Sequence, residues 1–133
     1  RKKFSKANIA TGESPNRFGM IMGERAMDEG QLWLKSLMKY IEENRNLFDK
    51  EINSIPCVRS MRLEATYLAW VDFSALEKEE SSIMKKLIAD AKIIAKPGSS
   101  FGLGGNKFVR FNLATSRSII KEAIERIKLV FNK

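Results

Sequence analysis

Apolar residues along this 133-residue chain switch between a helical and a two-residue period. Trp33, Leu34, Leu37, Met38, Ile41, Leu47, Phe48 and Ile52 return at three- and four-residue steps, which predicts a helix from Gln31 to about Ser54, closed by Pro56. Before it, Ser14-Pro15 is a helix start, with Ser14 able to accept from early amides and Pro15 tolerated in the first turn. That helix should reach about Glu29 and be bent or interrupted by Gly30. Its Phe18, Met20, Ile21, Met22, Ala26 and Met27 are more apolar surface than one face can hold, which suits a buried position or an interface. Phe4 to Gly12 carry little pattern and read as a passage from a preceding element into a loop.

Past Pro56 the period becomes two. Ser60 to Glu64 and Tyr67 to Phe73 read as a strand pair of hairpin type. Ile83, Met84, Leu87, Ile88 and Ala91 predict an amphipathic helix over about 79–91, and Ile93 to Ala95 a short buried strand running into Pro97-Gly98. From Phe108 to Leu113 the side chains should alternate, Val109, Phe111 and Leu113 facing one way and Phe108, Arg110 and Asn112 the other. A last helix, from Ser116 to Phe131 with Thr115 as its N-cap, carries an apolar stripe from Ile119 to Phe131. The order helix, helix, strand, strand, helix, strand, strand, helix gives an α+β fold, a small mixed sheet of about four strands covered by helices. Trp33, Tyr67 and Trp70 read as core residues.

Composition bounds the function. A 44% hydrophobic and 30% charged chain of this length fits one globular domain, and no apolar run approaches the roughly 20 residues of a membrane span. The one cysteine, Cys57, cannot form an internal disulfide, and a chain without histidine has no histidine triad or histidine metal site. No signal peptide is recognisable, so a cytoplasmic setting is the default expectation. The net charge of +8 raises a free-standing basic module that binds nucleic acid. Against that, only Arg1-Lys2-Lys3 forms a basic triplet and acidic residues interrupt the rest, so the charge reads as a solvated surface. A chain that starts at Arg1 and not at methionine hints at a piece of something longer.

The candidate chemistry lies between Lys96 and Arg117. Its glycines, Gly98, Gly102, Gly104 and Gly105, are followed by a strand; a nucleotide-binding loop would open a helix, so these glycines serve a tight turn. Arg110 is a cation fixed inside an apolar strand. A guanidinium there is costly unless it is paired or reaches water, and its planar fork matches a carboxylate. By periodicity alone it reads as an arginine on the wet face of a half-exposed strand.

Four ordered stretches add to this reading: Ser14-Pro15-Asn16 with Phe18-Gly19; Gly30 with Trp33-Leu34; Glu64 to Asp72; and Pro97-Gly98, Phe101-Gly102, Gly104-Gly105 with Phe108 to Ala114. Together they resemble the C-terminal small domain of class I/II aminotransferase-superfamily enzymes, nearest to the cystathionine β-lyase and carbon–sulfur lyase branch. The resemblance implies residues 1–30 as a connecting loop and interface helix and residues 31–133 as the substrate-binding small domain. It further implies pyridoxal phosphate as cofactor, an amino-acid substrate, a large domain of the same enzyme beside this one, and a homodimer, with neither nucleic acid nor membrane as partner. Arg110 matches the arginine that binds the substrate α-carboxylate, and Asn112, on the same face, is expected to hold its geometry or touch the same group. The cofactor's Schiff-base lysine is expected before Arg1, so no catalytic residue and no metal ligand is assigned to this chain, which alone should be inactive. The implied reaction cleaves cystathionine or cysteine to pyruvate, ammonia and a thiol; an aminotransferase on the same scaffold is the alternative. Ser116 stands where that branch often has proline.

Overall fold

The computed structural model describes residues 1–11 and 15–132. The chain divides into two units, Arg1–Met38 and Lys39–Lys133. The first holds α1 (Lys2–Thr11), α2 (Arg17–Glu29) and the opening of α3 (Gln31–Ile52). α1 is a helix where the weak pattern suggested a loop, because lysine and alanine are strong helix formers and the stretch has no interior glycine or proline to oppose them. Asn16 caps α2, its Oδ1 accepting from the Gly19 amide at 2.8 Å; Ser14, expected in that role, lies outside the described residues. Gly30 interrupts the helical run between α2 and α3, as its position implied: a Cβ there would meet the Ala26 carbonyl oxygen at 2.3 Å. Trp33, expected in a core, is 68% exposed, and α2 has no buried residue. Among the described residues of this unit there is no strand to enclose the apolar faces of its helices.

The second unit carries the sheet. Its strands are β1 (Arg59–Ser60), β2 (Leu68–Asp72), β3 (Lys96–Pro97) and β4 (Phe108–Asn112), in the spatial order β1-β2-β4-β3. The α+β architecture and the four strands agree with the sequence pattern. Every pairing is antiparallel, where a mixed sheet was expected. Short loops fold β1 back on β2 and β3 back on β4, and connections of that length permit no parallel pair.

Alternation decides which way the sheet faces. Ala69, Val71, Val109 and Phe111 are buried, with Leu113 continuing the row, and pack against α4 (Glu80–Ala89), α5 (Arg117–Phe131) and the end of α3. Phe48 meets Phe111 with ring centroids 5.6 Å apart, and Phe73 meets Phe131 at 5.2 Å. Each aliphatic or aromatic side chain buried in this way contributes about 1.5 to 3 kcal/mol, so the inner face fixes the register of β2 against β4. The opposite face, with Leu68, Trp70, Phe108, Arg110 and Asn112, is thereby turned outward. Trp70 is consequently half-buried on this outer face and Tyr67 is 44% exposed, so neither is a core residue.

Two strand boundaries differ from the pattern. β1 ends at Ser60, although one further ladder bond runs from the Met61 amide to the Trp70 carbonyl at 2.8 Å. Ile93 to Ala95 do not form a strand, and Ile94 is 90% exposed. Lys92 takes a left-handed turn at φ 57°, and the Ile93 amide donates to the Leu87 carbonyl at 2.8 Å, so these residues finish α4. Pairing with β4 begins only at Lys96, opposite Arg110. α5 starts at Arg117, with Ser116 and not Thr115 at its N-cap position.

Candidate functional site

Register brings the site together. Arg110 lies between Trp70 on β2 and Lys96 on β3, each directly opposite it, so the three side chains share the outer face. A 3-10 turn over Gly98–Phe101 then carries the chain back above β4. The Phe101 ring stands 4.5 Å from the Arg110 guanidinium carbon, within cation–π range. Trp70 meets Phe101 edge-on and stacks on Phe108 at 17° between planes, both at 5.6 Å. One half-buried cation thus sits in an aromatic surround.

The loop can make this turn because two glycines cross backbone to backbone. A Cβ on Gly98 would lie 2.2 Å from the Gly105 carbonyl oxygen, and one on Gly105 would lie 2.1 Å from the Gly98 carbonyl oxygen. The Glu80 carboxylate, at the first residue of α4, accepts from the Ser99 amide and the Lys107 amide at 3.2 Å each, and from the Ser99 hydroxyl. Both ends of the loop are therefore tied to one side chain.

Arg110 differs from the other half-buried arginines. Arg45, Arg117 and Arg126 each pair with a carboxylate, of Glu42, Glu43 and Glu122. Arg110 has none among the described residues, and its guanidinium keeps its donors free beside the Phe101 face. Asn112 shares its face, two residues on, but its Oδ1 accepts from the Ala114 amide at 2.8 Å and shapes the exit of β4. The structure places both anticipated residues on one surface and joins them by no hydrogen bond.

Behind the strand exit, Asn44 on α3 is fully buried. Its Nδ2 donates to the Leu113 and Thr115 carbonyls at 3.1 and 3.0 Å, and its Oδ1 accepts from Arg117 Nε at 3.1 Å. The Tyr40 hydroxyl accepts from the Arg117 amide at 2.8 Å, while the Arg117 guanidinium lies 4.7 Å from the Tyr40 ring centroid. This network fixes the turn from β4 into α5.

Phe101, Trp70 and Glu80 were not anticipated as site residues. Phe101-Gly102 is visible as a motif, but the register that puts Trp70 opposite Arg110 and the reach of Glu80 across 19 and 27 residues are set only in three dimensions. Every described lysine is exposed or half-exposed, and Lys128 is paired with Glu51. No group of three or more metal-ligating side chains occurs among the described residues.

The second unit thus presents a four-stranded antiparallel sheet with helices packed on its inner face and, on its outer face, Arg110 with no carboxylate partner among the described residues. The comparisons with known proteins give the family: residues 17–127 match the aminotransferase class I and II model, and the chain belongs to that family. It is 33% identical over 130 residues to the cystathionine beta-lyase PatB of Bacillus subtilis, covering 96% of this chain and 34% of that protein. It superimposes with a TM-score of 0.89 and 31% identity on cystalysin from Treponema denticola, a structure that contains a pyridoxal 5'-phosphate cofactor, covering 97% of this chain and 33% of that one. Aromatic-amino-acid aminotransferase 2 of Thermococcus litoralis is 26% identical over 136 residues, covering 99% of this chain and 34% of that protein. The chain thus spans about a third of the length of these relatives.

Proposed function

We propose that this chain is the small-domain portion of a pyridoxal-phosphate-dependent carbon–sulfur β-lyase, and that Arg110 binds the α-carboxylate of its amino-acid substrate. The observation that carries the reading is a half-buried guanidinium, held against Phe101, which Trp70 in turn meets edge-on, with no carboxylate partner among the described residues. A fork of parallel donors on a rigid strand fits a carboxylate with two hydrogen bonds, and the aromatic surround strengthens that pairing by keeping water away. Asn112, on the same face, leaves its amide nitrogen for the substrate while its oxygen holds the strand exit. The reaction assigned to the parent enzyme is cleavage of a cystathionine- or cysteine-type substrate to pyruvate, ammonia and a thiol. On this reading its bond-breaking groups and its cofactor seat lie outside this chain, which covers 34% of the Bacillus subtilis relative and 33% of cystalysin. Family membership favours this reading over a nucleic-acid module. Aminotransferase activity is the second reading, supported by the family model and the Thermococcus litoralis relative, and it uses the same anchor.

The test is Arg110→Ala and Arg110→Lys in the full-length protein, with steady-state kinetics on an amino-acid substrate and its matched decarboxylated amine. Breaking a desolvated charge pair costs on the order of 2 to 5 kcal/mol, about 30-fold to several thousand-fold in kcat/KM, with lysine intermediate because it keeps the charge and loses the fork. The alanine variant should lose its preference for the carboxylate-bearing substrate. An unchanged preference would overturn the assignment.

A further inference from the structure

We infer that Glu80 is a positioning residue for Arg110, acting through the glycine-rich loop and the Phe101 ring; the inference rests on the carboxylate reading above. Phe101 is the aromatic side chain that lies against the Arg110 guanidinium, yet Phe101 itself is 52% exposed and sits on a single 3-10 turn. A ring on so short a turn holds its place only if the turn is held. Glu80 does this from α4, accepting at once from the Ser99 amide and hydroxyl, just inside the loop, and from the Lys107 amide at its far end. At the crossing itself Gly98 and Gly105 leave no space for a side chain. A carboxylate accepting three hydrogen bonds ties the loop down from outside it. The path runs from the Glu80 carboxylate to Ser99, two residues along to Phe101, and across 4.5 Å to Arg110.

A merely structural Glu80 would affect stability and all substrates alike. A positioning Glu80 affects the carboxylate anchor selectively. The experiment compares Glu80→Gln, Glu80→Ala, Phe101→Leu, the double variant Glu80→Ala/Phe101→Leu and Arg110→Ala in the full-length protein. It reads KM and kcat on the amino acid and the decarboxylated amine, together with hydrogen exchange of the loop amides without substrate. Glu80→Ala should raise KM for the amino acid by about 3- to 30-fold, the range a lost cation–π seat implies, while kcat and the amine kinetics stay nearly unchanged. Gln, which keeps one acceptor oxygen, should do less. The Ser99 and Lys107 amides should exchange faster, and the double variant should be no worse than the worse single one. Equal losses on both substrates, additive losses in the double variant, or a freed loop with carboxylate preference intact would each overturn the inference. If Glu80→Ala does not fold, Glu80→Gln and Phe101→Leu carry the same comparison. Failure of the underlying reading shows separately, as an Arg110→Ala enzyme that keeps its carboxylate preference.

Discussion

Arg110 and Phe101 lie nine residues apart in sequence and meet with the guanidinium carbon 4.5 Å from the ring centroid, over the outer face of the sheet. The contact depends on the loop that separates them folding back on itself, and that loop depends on two glycines.

Gly98→Ala and Gly105→Ala should therefore each be destabilising. The added methyl would lie 2.2 or 2.1 Å from a carbonyl oxygen of the other glycine, so the backbone must shift. Overpacking of this kind costs about 1 to 3 kcal/mol. Gly23→Ala is the control, since nothing lies within 4 Å of its added methyl and the site is inside α2; it should stabilise by roughly 0.5 to 1 kcal/mol. Denaturant unfolding of the three variants measures both signs.

Asn44→Ala should destabilise the second unit by about 2 to 3 kcal/mol, because the Leu113 and Thr115 carbonyls lose their donor and Arg117 loses an acceptor behind the sheet. Thermal unfolding checks this. A loss no larger than that of an exposed helix-surface substitution would show that water replaces the amide at no cost.

Glu51 and Lys128 join α3 to α5 through an ion pair in which both side chains are about three-quarters covered. The hydrogen bond from Lys128, and then its charge, hold the Glu51 carboxyl below its ordinary value of 4.5; burial pushes weakly the other way. A carboxyl depressed in the folded state stabilises above its unfolded pKa, and that contribution is lost as pH falls through the folded value. The stability difference between the native chain and Glu51→Gln should be level near neutrality and shrink as pH drops below 4.5. Unfolding curves collected across acid pH test it, and Lys128→Met should flatten the profile.

The chain by itself should associate as its concentration rises. Phe18, Met22 and Met27 on α2 and Trp33 on α3 are 79%, 70%, 79% and 68% exposed. Apolar surface gathered on two successive helices is the kind that seeks a partner. Sedimentation across a dilution series should show mass increasing with concentration, and Met22→Lys with Met27→Lys should suppress it. A monomer at every concentration would count against this.

Alternation from Phe108 to Leu113 determined by itself that Val109, Phe111 and Leu113 face the core and that Arg110 faces away, because side chains on a strand have only two directions. The periodic runs likewise specified α3, α4 and α5, since their apolar stripes are a local property of spacing. Helix formation in α1 left no such trace, as it rests on the intrinsic propensity of residues such as lysine and alanine. Trp33 and Trp70 could not be placed from sequence, because an aromatic side chain suits a core or an open face equally and only the neighbours decide. What surrounds Arg110 was decided by tertiary structure alone. Trp70 stands 40 residues away and Lys96 fourteen, and both reach it through sheet register; Phe101 arrives through a glycine crossing, and Glu80 holds that crossing from a different helix. Such contacts follow from how the inner face packs, which no spacing along the chain records.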